Sequence, residues 1–512
     1  MYVKRLERTV PWIIKLLTNL TQNYQFMKSA IKFSLKDKNI LKPIYAFAKA
    51  RKVKLYLVGG ILRDMLLDRE KQNPDFDFCL KSGSINFARL LAKKIRCGFV
   101  VLDKQHGACR LVKRINNINY TFDFTDFRGS DLKHDLLHRD FTINTLALEL
   151  GKVFEGGDLR GALIDPLNAT QDLKNSNLKV THKKSFSEDP LRILRCFSLA
   201  CIFGFRIDKQ TLKLAGLERN KLAGVSFERI REELFKIFAE PCAYDSIVML
   251  DKLRILKVIF PEIEKMRNVD GGPYHHLKVL EHSLETVKQL EGLIQELSRK
   301  SEIQAYLNLI VSSERTRASL MKLAALLHDI GKPASRRVED GKVKFHGHER
   351  IGLEMTENIA RRLKLSNDEI SALRRIVMWH LRPGYLADSK LVTKRAAFRF
   401  FRDTREEAVS VLLLSIADQR ATRGRLTTAA SRAHHERIVF GLIKEYFRKL
   451  TIKPKVRLVN GDILMKKFKL QPSELIGKIL SEVEELQAIG KVKTKQEALK
   501  AADKIIKGYS HG

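Results

Sequence analysis

Two segments decide the fold: Leu55-Tyr-Leu-Val-Gly-Gly-Ile-Leu-Arg-Asp and, after a polar bend, Pro74-Asp-Phe-Asp-Phe-Cys. The apolar run that opens the first segment predicts a buried strand. Gly59 and Gly60 follow it, and a glycine pair lets the backbone turn and approach a ligand closely. Arg63 lies on the predicted helix that comes next, whose free N–H groups suit a phosphate. The first segment therefore predicts a phosphate-binding turn.

The second segment carries two carboxylates, Asp75 and Asp77. The period of a strand places both on one face and the phenylalanines on the other. Like charges this close are costly unless a cation lies between them, and Mg²⁺ prefers a few carboxylates together with substrate phosphates. Each segment alone is also typical of an ordinary turn or a solvated strand face. Together they predict a triphosphate site beside an Mg²⁺-dependent phosphoryl-transfer centre.

In this order the two segments resemble the class II nucleotidyltransferases, which are the tRNA CCA-adding enzymes and the bacterial poly(A) polymerases. Asp123 lies on a later alternating strand and is the candidate third carboxylate, although a polar outward residue fits equally well. The segment His138-Arg-Asp-Phe-Thr-Ile-Asn resembles the family's Arg-Arg-Asp-Phe-Thr-x-Asn motif, with histidine in the first position. The resemblance implies that Arg139 contacts phosphate, that Asn144 binds the sugar and that Asp140 orients Arg139.

A predicted helix near Asp189 carries the candidate residues for nucleotide selection. Asp189, Arg192 and Arg195 fall on one helical face, and Asp189 with Pro190 is typical of an N-cap and a first helical residue. A cap with an intrahelical ion pair is the plain interpretation. The stretch also resembles the family's Glu-Asp-x-x-Arg motif, which implies that a carboxylate and a guanidinium recognise the base. Cytosine and adenine both present an amino donor beside a ring-nitrogen acceptor, so such a pair accepts CTP and ATP.

A second group of residues combines histidines and aspartates on helix-like stretches in the order typical of the HD superfamily of metal-dependent phosphohydrolases. Imidazoles with carboxylates suit a divalent transition metal with open positions. The resemblance implies that four of the residues are primary ligands and that two bind a second metal or the phosphate. The four are His282, His328, Asp329 and Asp418, and the two are His348 and His380.

The combined resemblance implies an α+β chain. An N-terminal polymerase-β-like nucleotidyltransferase head, a mixed sheet with helices, is followed by an all-α neck, body, HD domain and tail. The predicted boundaries are a basic extension at 1–44, the head at 45–167, the neck and body at 168–265, the HD domain at 266–430 and the tail at 431–512.

Composition favours a nucleic-acid partner. The 512 residues carry a formal net charge of +36, which favours a polyanion through counterion release. No apolar stretch is long enough for a membrane span, so no membrane partner is expected. Six cysteines without a Cys-x-x-Cys pair predict a reducing, cytoplasmic location. Oligomeric state has no signal in the sequence.

These expectations give an RNA nucleotidyltransferase that adds CMP, and AMP, from CTP and ATP to the 3′ end of tRNA. A poly(A) polymerase is the alternative within the class. An HD phosphohydrolase whose head only binds RNA is the alternative outside it. Full CCA-adding members usually carry a longer flexible loop where this chain has only Gly129-Ser-Asp-Leu-Lys-His before Asp135. The short segment predicts addition restricted to two cytidines.

Overall fold

A computed structural model describes residues 31, 33–69, 73–156, 158–272, 276–339, 341–389, 391–424, 427–451 and 456–510. Most of the predicted extension at 1–44 lies outside these ranges. The chain divides into two compact units, one that runs to Ile237 and includes Lys252–Val258, and one formed by Phe238–Asp251 with the chain from Ile259 onward. The finer boundaries within each unit stay predictions.

The first unit contains eight strands among its described residues. They are β1 (Tyr56–Val58), β2 (Asp75–Leu80), β3 (Gly98–Asp103), β4 (Ala108–Ile115), β5 (Ile118–Asp126), β6 (Ala147–Glu149), β7 (Asn177–Leu178) and β8 (Arg206–Ile207). Its helices are α1 (Leu35–Ala50), α2 (Gly60–Leu66), α3 (Ser84–Ile95), α4 (Leu132–Leu137), α5 (Lys152–Glu155), α6 (Ala169–Lys174), α7 (Ser185–Glu188), α8 (Arg192–Phe203) and α9 (Lys209–Glu218). Three further helices carry residues of both units, α10 (Phe227–Ala239), α11 (Ala243–Lys252) and α12 (Ile255–Ile259).

Six of these strands form one mixed sheet in the order β3-β4-β5-β2-β1-β6. Strands β2 and β5 run parallel, and the other neighbours are antiparallel. The mixed sheet predicted for the head is confirmed.

Alternation along β2 gives the sheet one apolar face and one acidic face. Phe76 and Phe78 are buried and stack on Phe122 and Phe124 of β5, with ring centroids 5.8 Å and 5.0 Å apart. Phe87 of α3 lies 5.7 Å from Phe124, so helix α3 covers this face. The strand period therefore turns the aspartates of β2 and β5 to the opposite face.

The second unit is largely helical. Its remaining helices are α13 (Val279–Glu296), α14 (Ser301–Leu307), α15 (Arg317–Leu327), α16 (Lys332–Ser335), α17 (His348–Arg362), α18 (Asn367–Trp379), α19 (Arg382–Ala387), α20 (Lys394–Thr404), α21 (Ala408–Ala421), α22 (Ala429–Leu450), α23 (Gly461–Phe468), α24 (Glu474–Ala488) and α25 (Lys495–Ser510). Its strands are β9 (Ile310–Ser312), β10 (Arg315–Thr316), β11 (Arg337–Glu339) and β12 (Lys342–Lys344).

The chain after the head is largely helical, as predicted, and short strands also pair there. Strand β7 pairs with β8, β9 with β10 and β11 with β12. Such pairs occupy two or three residues in each strand, too few for a periodic pattern in the sequence. Within the described ranges, no helix is both long and apolar enough to span a membrane.

A buried ion pair fastens the start of α18 to β10. Arg315 Nε lies 2.5 Å from Glu369 Oε1, and Glu369 is 0% exposed. We expect Arg315→Met to lower the free energy of unfolding by about 3–5 kcal/mol, because it leaves the carboxylate buried without its cation. Urea denaturation followed by circular dichroism measures this loss.

The matched control is Arg361→Met. Arg361 pairs with Glu357 at 2.6 Å, but its side chain is 60% exposed, so its loss should cost no more than about 1 kcal/mol. Equal effects from the two substitutions would contradict a structural role for the buried pair.

Candidate functional site

The acidic face of the sheet gathers three carboxylates, Asp75, Asp77 and Asp123, which we call the acidic trio. Asp77 on β2 is directly opposite Asp123 on β5 in the parallel register. One oxygen from each of the three carboxylates lies within 4.8 Å of the other two. Among the described residues, none donates a hydrogen bond to the buried Oδ1 atom of Asp75. Three half-buried like charges at this separation require a cation, so the trio fits a divalent metal.

Arg110 on β4 balances part of this charge. Its Nε and Nη2 atoms each lie 2.7 Å from an oxygen of Asp123. Hydrogen bonds to Asp123 raise the pKa of Arg110. Sequence analysis missed Arg110, although its alternation within β4 places it opposite Asp123. Asp123 is therefore shared between the trio and an arginine.

The glycine turn closes on the trio. Gly59 has a φ of +77°, and a Cβ atom there would come within 2.9 Å of Asp77 Oδ2 and 3.2 Å of Arg139 Nη1. A Cβ at Gly60 would lie 3.1 Å from Arg63 Nη2. No side chain fits at Gly59 without displacing these groups, so the turn lies against both the carboxylate and the guanidinium.

A buried chain of polar contacts continues from Arg63. Arg63 Nη1 donates to Asn144 Oδ1 at 2.5 Å, and Asn144 Nδ2 donates to Asp140 Oδ1 at 2.9 Å. Asp140 Oδ2 in turn lies 2.7 Å from Arg195 Nε, and the charge of Asp140 raises the pKa of Arg195. Arg63 is buried and also pairs with Asp64 at 2.7 Å. These contacts favour a positioning role for Arg63 over a direct phosphate contact.

The expectation that Asp140 orients Arg139 is wrong. The carboxylate that pairs with Arg139 is Asp135, at 3.4 Å. Burial acts to lower the pKa of Arg139, but the nearby carboxylates, Asp135 first, outweigh it and raise the pKa. Asp140 is instead occupied by Asn144 and Arg195, because its side chain lies on the α8 side of the head.

Asp189 and Arg192, which were predicted to recognise the base, lie close together in the chain but bind different partners. Arg192 is 8% exposed and donates to Ser185 Oγ at 2.8 Å and to the carbonyl of His138 at 2.9 Å. The carboxylate of Asp189 accepts a hydrogen bond from Arg229 Nη2 at 3.0 Å. The N-cap of α8 is Leu191 and not the predicted Asp189, which follows α7 as its C-cap, although Asp189 Oδ1 accepts from the N–H of Leu191 at 3.2 Å. Sequence analysis did not assign Arg229 of α10 to the site, although it holds the carboxylate of Asp189.

The second unit collects the six predicted histidine and aspartate residues, which we call the histidine–aspartate cluster. Five of them form two triads that share one residue, Asp329. The first triad adds His282 and His328, with His328 Nε2 at 3.3 Å from Asp329 Oδ2. Asp418 joins it through a 2.9 Å contact with His282 Nε2.

The second triad adds His348 and His380 to Asp329. His348 Nε2 lies 3.4 Å from Asp329 Oδ1 and 3.4 Å from His380 Nε2. The Nδ1 atoms of His348 and His380 lie 2.8 Å and 2.6 Å from the carbonyls of Phe345 and Val377. Each Nδ1 therefore carries the proton and leaves the Nε2 lone pair for the centre of the cluster.

Electrostatics keep His282, His380 and Asp329 in the form that binds a metal, whereas the charge of Asp329 outweighs burial and raises the pKa of His328. Burial lowers the pKa of His282, and it lowers the pKa of His380 to about 3, so both rings stay neutral. Burial acts to raise the pKa of Asp329, but His328 and Lys332 outweigh it and hold the pKa well below its usual range. Neutral imidazoles with ionised carboxylates suit a divalent transition metal.

Lys332 is the residue of this cluster that sequence analysis missed. Its Nζ lies 2.7 Å from Asp329 Oδ2 and is buried with it. The i,i+3 spacing from Asp329 was the available signal. Gly331, between the two, lies so close to α17 that a Cβ would collide with the carbonyl of His348.

Family models match three parts of the chain. The Poly A polymerase head domain matches residues 55–179. A model described as the probable RNA and SrmB- binding site of polymerase A matches residues 204–266, and the HD domain matches residues 279–423. A multifunctional CCA protein of Legionella pneumophila is 31% identical over 328 residues, which cover 62% of this chain and 72% of that protein.

The chain belongs to the tRNA nucleotidyltransferase family. Within this family it is 29% identical to an A-adding tRNA nucleotidyltransferase of Deinococcus radiodurans, over 86% of this chain and 93% of that protein. It is also 29% identical to a CC-adding enzyme of Thermus thermophilus, over 86% and 91%. The solved structure of a CCA-adding enzyme with ATP has the same fold, with a TM-score of 0.62, 22% identity and coverage of 91% and 95%. As a tRNA nucleotidyltransferase, the chain uses divalent metal ions in its head.

Proposed function

We propose that this tRNA nucleotidyltransferase transfers CMP from CTP to the 3′ end of tRNA. The observation that carries the proposal is the acidic trio on β2 and β5, closed on one side by the turn at Gly59. Relatives along most of the chain are named for CC, A or CCA addition, which supports tRNA as the substrate. The net charge of +36 fits an RNA partner. The six cysteines are free, which fits the cytoplasmic location included in the proposal.

The reaction requires in-line displacement at phosphorus. The 3′-hydroxyl oxygen of the RNA gives up its proton to solvent and forms a bond to the α-phosphorus, while the bond from that phosphorus to the oxygen bridging it to the β-phosphorus breaks and pyrophosphate leaves. Asp75 and Asp77 would hold Mg²⁺, with Asp123 as the third carboxylate. When bound, Mg²⁺ would supply charge stabilisation for the attacking and leaving oxygens. Arg139, next to Gly59, would contact the triphosphate.

Nucleotide selection is assigned to residues on the α8 side of the head. Asn144 is held by Arg63 and Asp140, and its amide would recognise the ribose hydroxyl. Asp189 and Arg192 would complement the amino group and the ring nitrogen of cytosine. Because Arg192 is fixed by Ser185 and the carbonyl of His138, the edge it presents is rigid.

A short connection supports restriction to two cytidines. Only the five residues from Phe127 to Asp131 join β5 to α4. The backbone N–H of Arg128 donates to Asp135 at 3.1 Å, and Asp131 accepts from the N–H of His134 at 3.0 Å. A segment this short and this well bonded has little freedom to reshape the nucleotide pocket for a purine.

We expect AMP transfer to tRNA ending in C-C to be about 10- to 100-fold slower than CMP transfer to tRNA lacking all three terminal residues. A misplaced purine amino group leaves a buried polar group unpaired, at about 1–3 kcal/mol. Single-nucleotide incorporation on tRNAs ending before the first C, after one C and after two measures both rates. If AMP were transferred to tRNA ending in C-C as fast as CMP is transferred to tRNA lacking its last three residues, the restriction to two cytidines would be overturned. Efficient AMP addition to unstructured RNA would favour a poly(A) polymerase instead.

The second unit has a candidate activity of its own. Two triads that share Asp329 provide adjacent positions for divalent transition metals, as two-metal phosphohydrolysis requires. We assign His282, His328, Asp329 and Asp418 to one metal, and His348 and His380 with Asp329 to a second metal or to the substrate phosphate. Metal ions held there would supply Lewis-acid activation of water for the hydrolysis of a phosphate ester.

A further inference from the structure

We propose that His138, His182 and Glu188 form a third metal site in the first unit, specific for a transition-metal ion such as Zn²⁺. One ligand atom from each of the three lies within 4.8 Å of the other two. Two imidazoles with one carboxylate are a ligand set that Zn²⁺ takes in open sites, with solvent in the fourth position.

The distance from each imidazole to Glu188 is close to that between two ligands of one ion, and the two imidazoles face different oxygens of the carboxylate. Ligand atoms on tetrahedral Zn²⁺ lie about 3.3 Å apart, given Zn–N bonds of about 2.0–2.1 Å. His182 Nε2 lies 3.4 Å from Glu188 Oε2, and His138 Nδ1 lies 3.7 Å from Glu188 Oε1. The Glu188 side chain is 37% exposed, so it has the freedom to close the remaining gap and the site has access to solvent.

The Nε2 atom of His182 is specific evidence for a bound metal. His182 Nε2 is buried, yet it makes no hydrogen bond within the part of the chain that the structure describes. A buried imidazole nitrogen without a hydrogen bond is costly, and a metal would satisfy it.

The three ligands come from two segments of the first unit. His138 directly follows α4, His182 precedes α7 and Glu188 ends α7. Arg192 is the competing cation, because its Nη1 lies 3.6 Å from Glu188 Oε2. Since Ser185 and the carbonyl of His138 already hold Arg192, Glu188 can turn to a metal without leaving the guanidinium unpaired. A bound ion would tie the end of α4 to α7.

The test uses the full chain, stripped with a chelator and dialysed against Zn²⁺ in excess Mg²⁺. Excess Mg²⁺ occupies the oxygen-only acidic trio, and the histidine–aspartate cluster contributes equally to all samples. We expect His182→Ala, and separately His138→Ala, to bind one Zn²⁺ fewer per chain than the parent, with affinity at that site on the order of 100-fold weaker. The visible spectrum of the Co²⁺-loaded parent should lose one component in both variants.

The matched control is His106→Ala. His106 is an exposed histidine of the same unit that pairs with one carboxylate, Asp103, at 2.8 Å. Its Zn²⁺ content and its Co²⁺ spectrum should equal those of the parent. Zn²⁺ should raise the melting temperature of the parent and of this control more than that of either cluster variant. Unchanged metal content and spectrum in both His138→Ala and His182→Ala would overturn the proposal.

Discussion

Asp77→Asn should reduce nucleotide addition by about 1,000-fold or more, equivalent to about 4 kcal/mol of transition-state stabilisation. Asp77 lies in register with Asp123 and against the Gly59 turn, so its carboxylate is central to the trio. Asparagine keeps the volume but removes the charge that a divalent cation requires. Steady-state incorporation of labelled CMP into tRNA measures the loss.

The control for this variant is Asp103→Asn, an exposed aspartate of the same sheet whose carboxylate caps only its own turn. It should retain parental activity. Binding of tRNA in gel shifts should survive in both variants, because neither alters the basic surface. Equal loss of binding and addition in Asp77→Asn would show that the aspartate is structural.

Asp329→Asn should remove both metals from the histidine–aspartate cluster and abolish any hydrolysis there, by about 1,000-fold or more. The reason is geometric, since one Asp329 oxygen faces His328 and the other faces His348. His348→Ala changes only the second triad, so it should lower the metal content by one equivalent instead of two. Elemental analysis of the full chain measures both.

Nucleotide addition by these two variants provides the folding control, because their ligands lie in the second unit and the acidic trio lies in the first. Hydrolysis of 2′,3′-cyclic phosphates and phosphomonoesters reports the activity. Equal metal loss in the two variants would contradict the shared-aspartate arrangement. Unchanged hydrolysis in both would refute an active HD site.

Local pattern was sufficient for much of the head. Alternation in Asp75-Phe-Asp-Phe gave the correct strand and the correct faces, because period two is a property of the backbone itself. The six histidine and aspartate residues of the second unit lie together, as the resemblance to the HD superfamily implied.

The local sequence pattern could not predict which side chains pair across the fold. The partner of Asp123 is Arg110, and the partner of Asp189 is Arg229, which is 40 positions away. Isolated arginines on strands and helices are usually solvated, so nothing local distinguishes these two. Helix α8 begins at Arg192, two positions after Pro190, which was predicted as its first residue, although Asp189 Oδ1 accepts from the N–H of Leu191.

The most direct measurement is the 3′-end sequence of a tRNA that lacks its last three residues, after incubation with the full chain, Mg²⁺ and all four nucleoside triphosphates together. We predict that two cytidines are added and that synthesis then stalls, with Asp77→Asn leaving the end unchanged. An unextended end with the parent chain, or a run of adenylates in place of the cytidines, would contradict the proposed function.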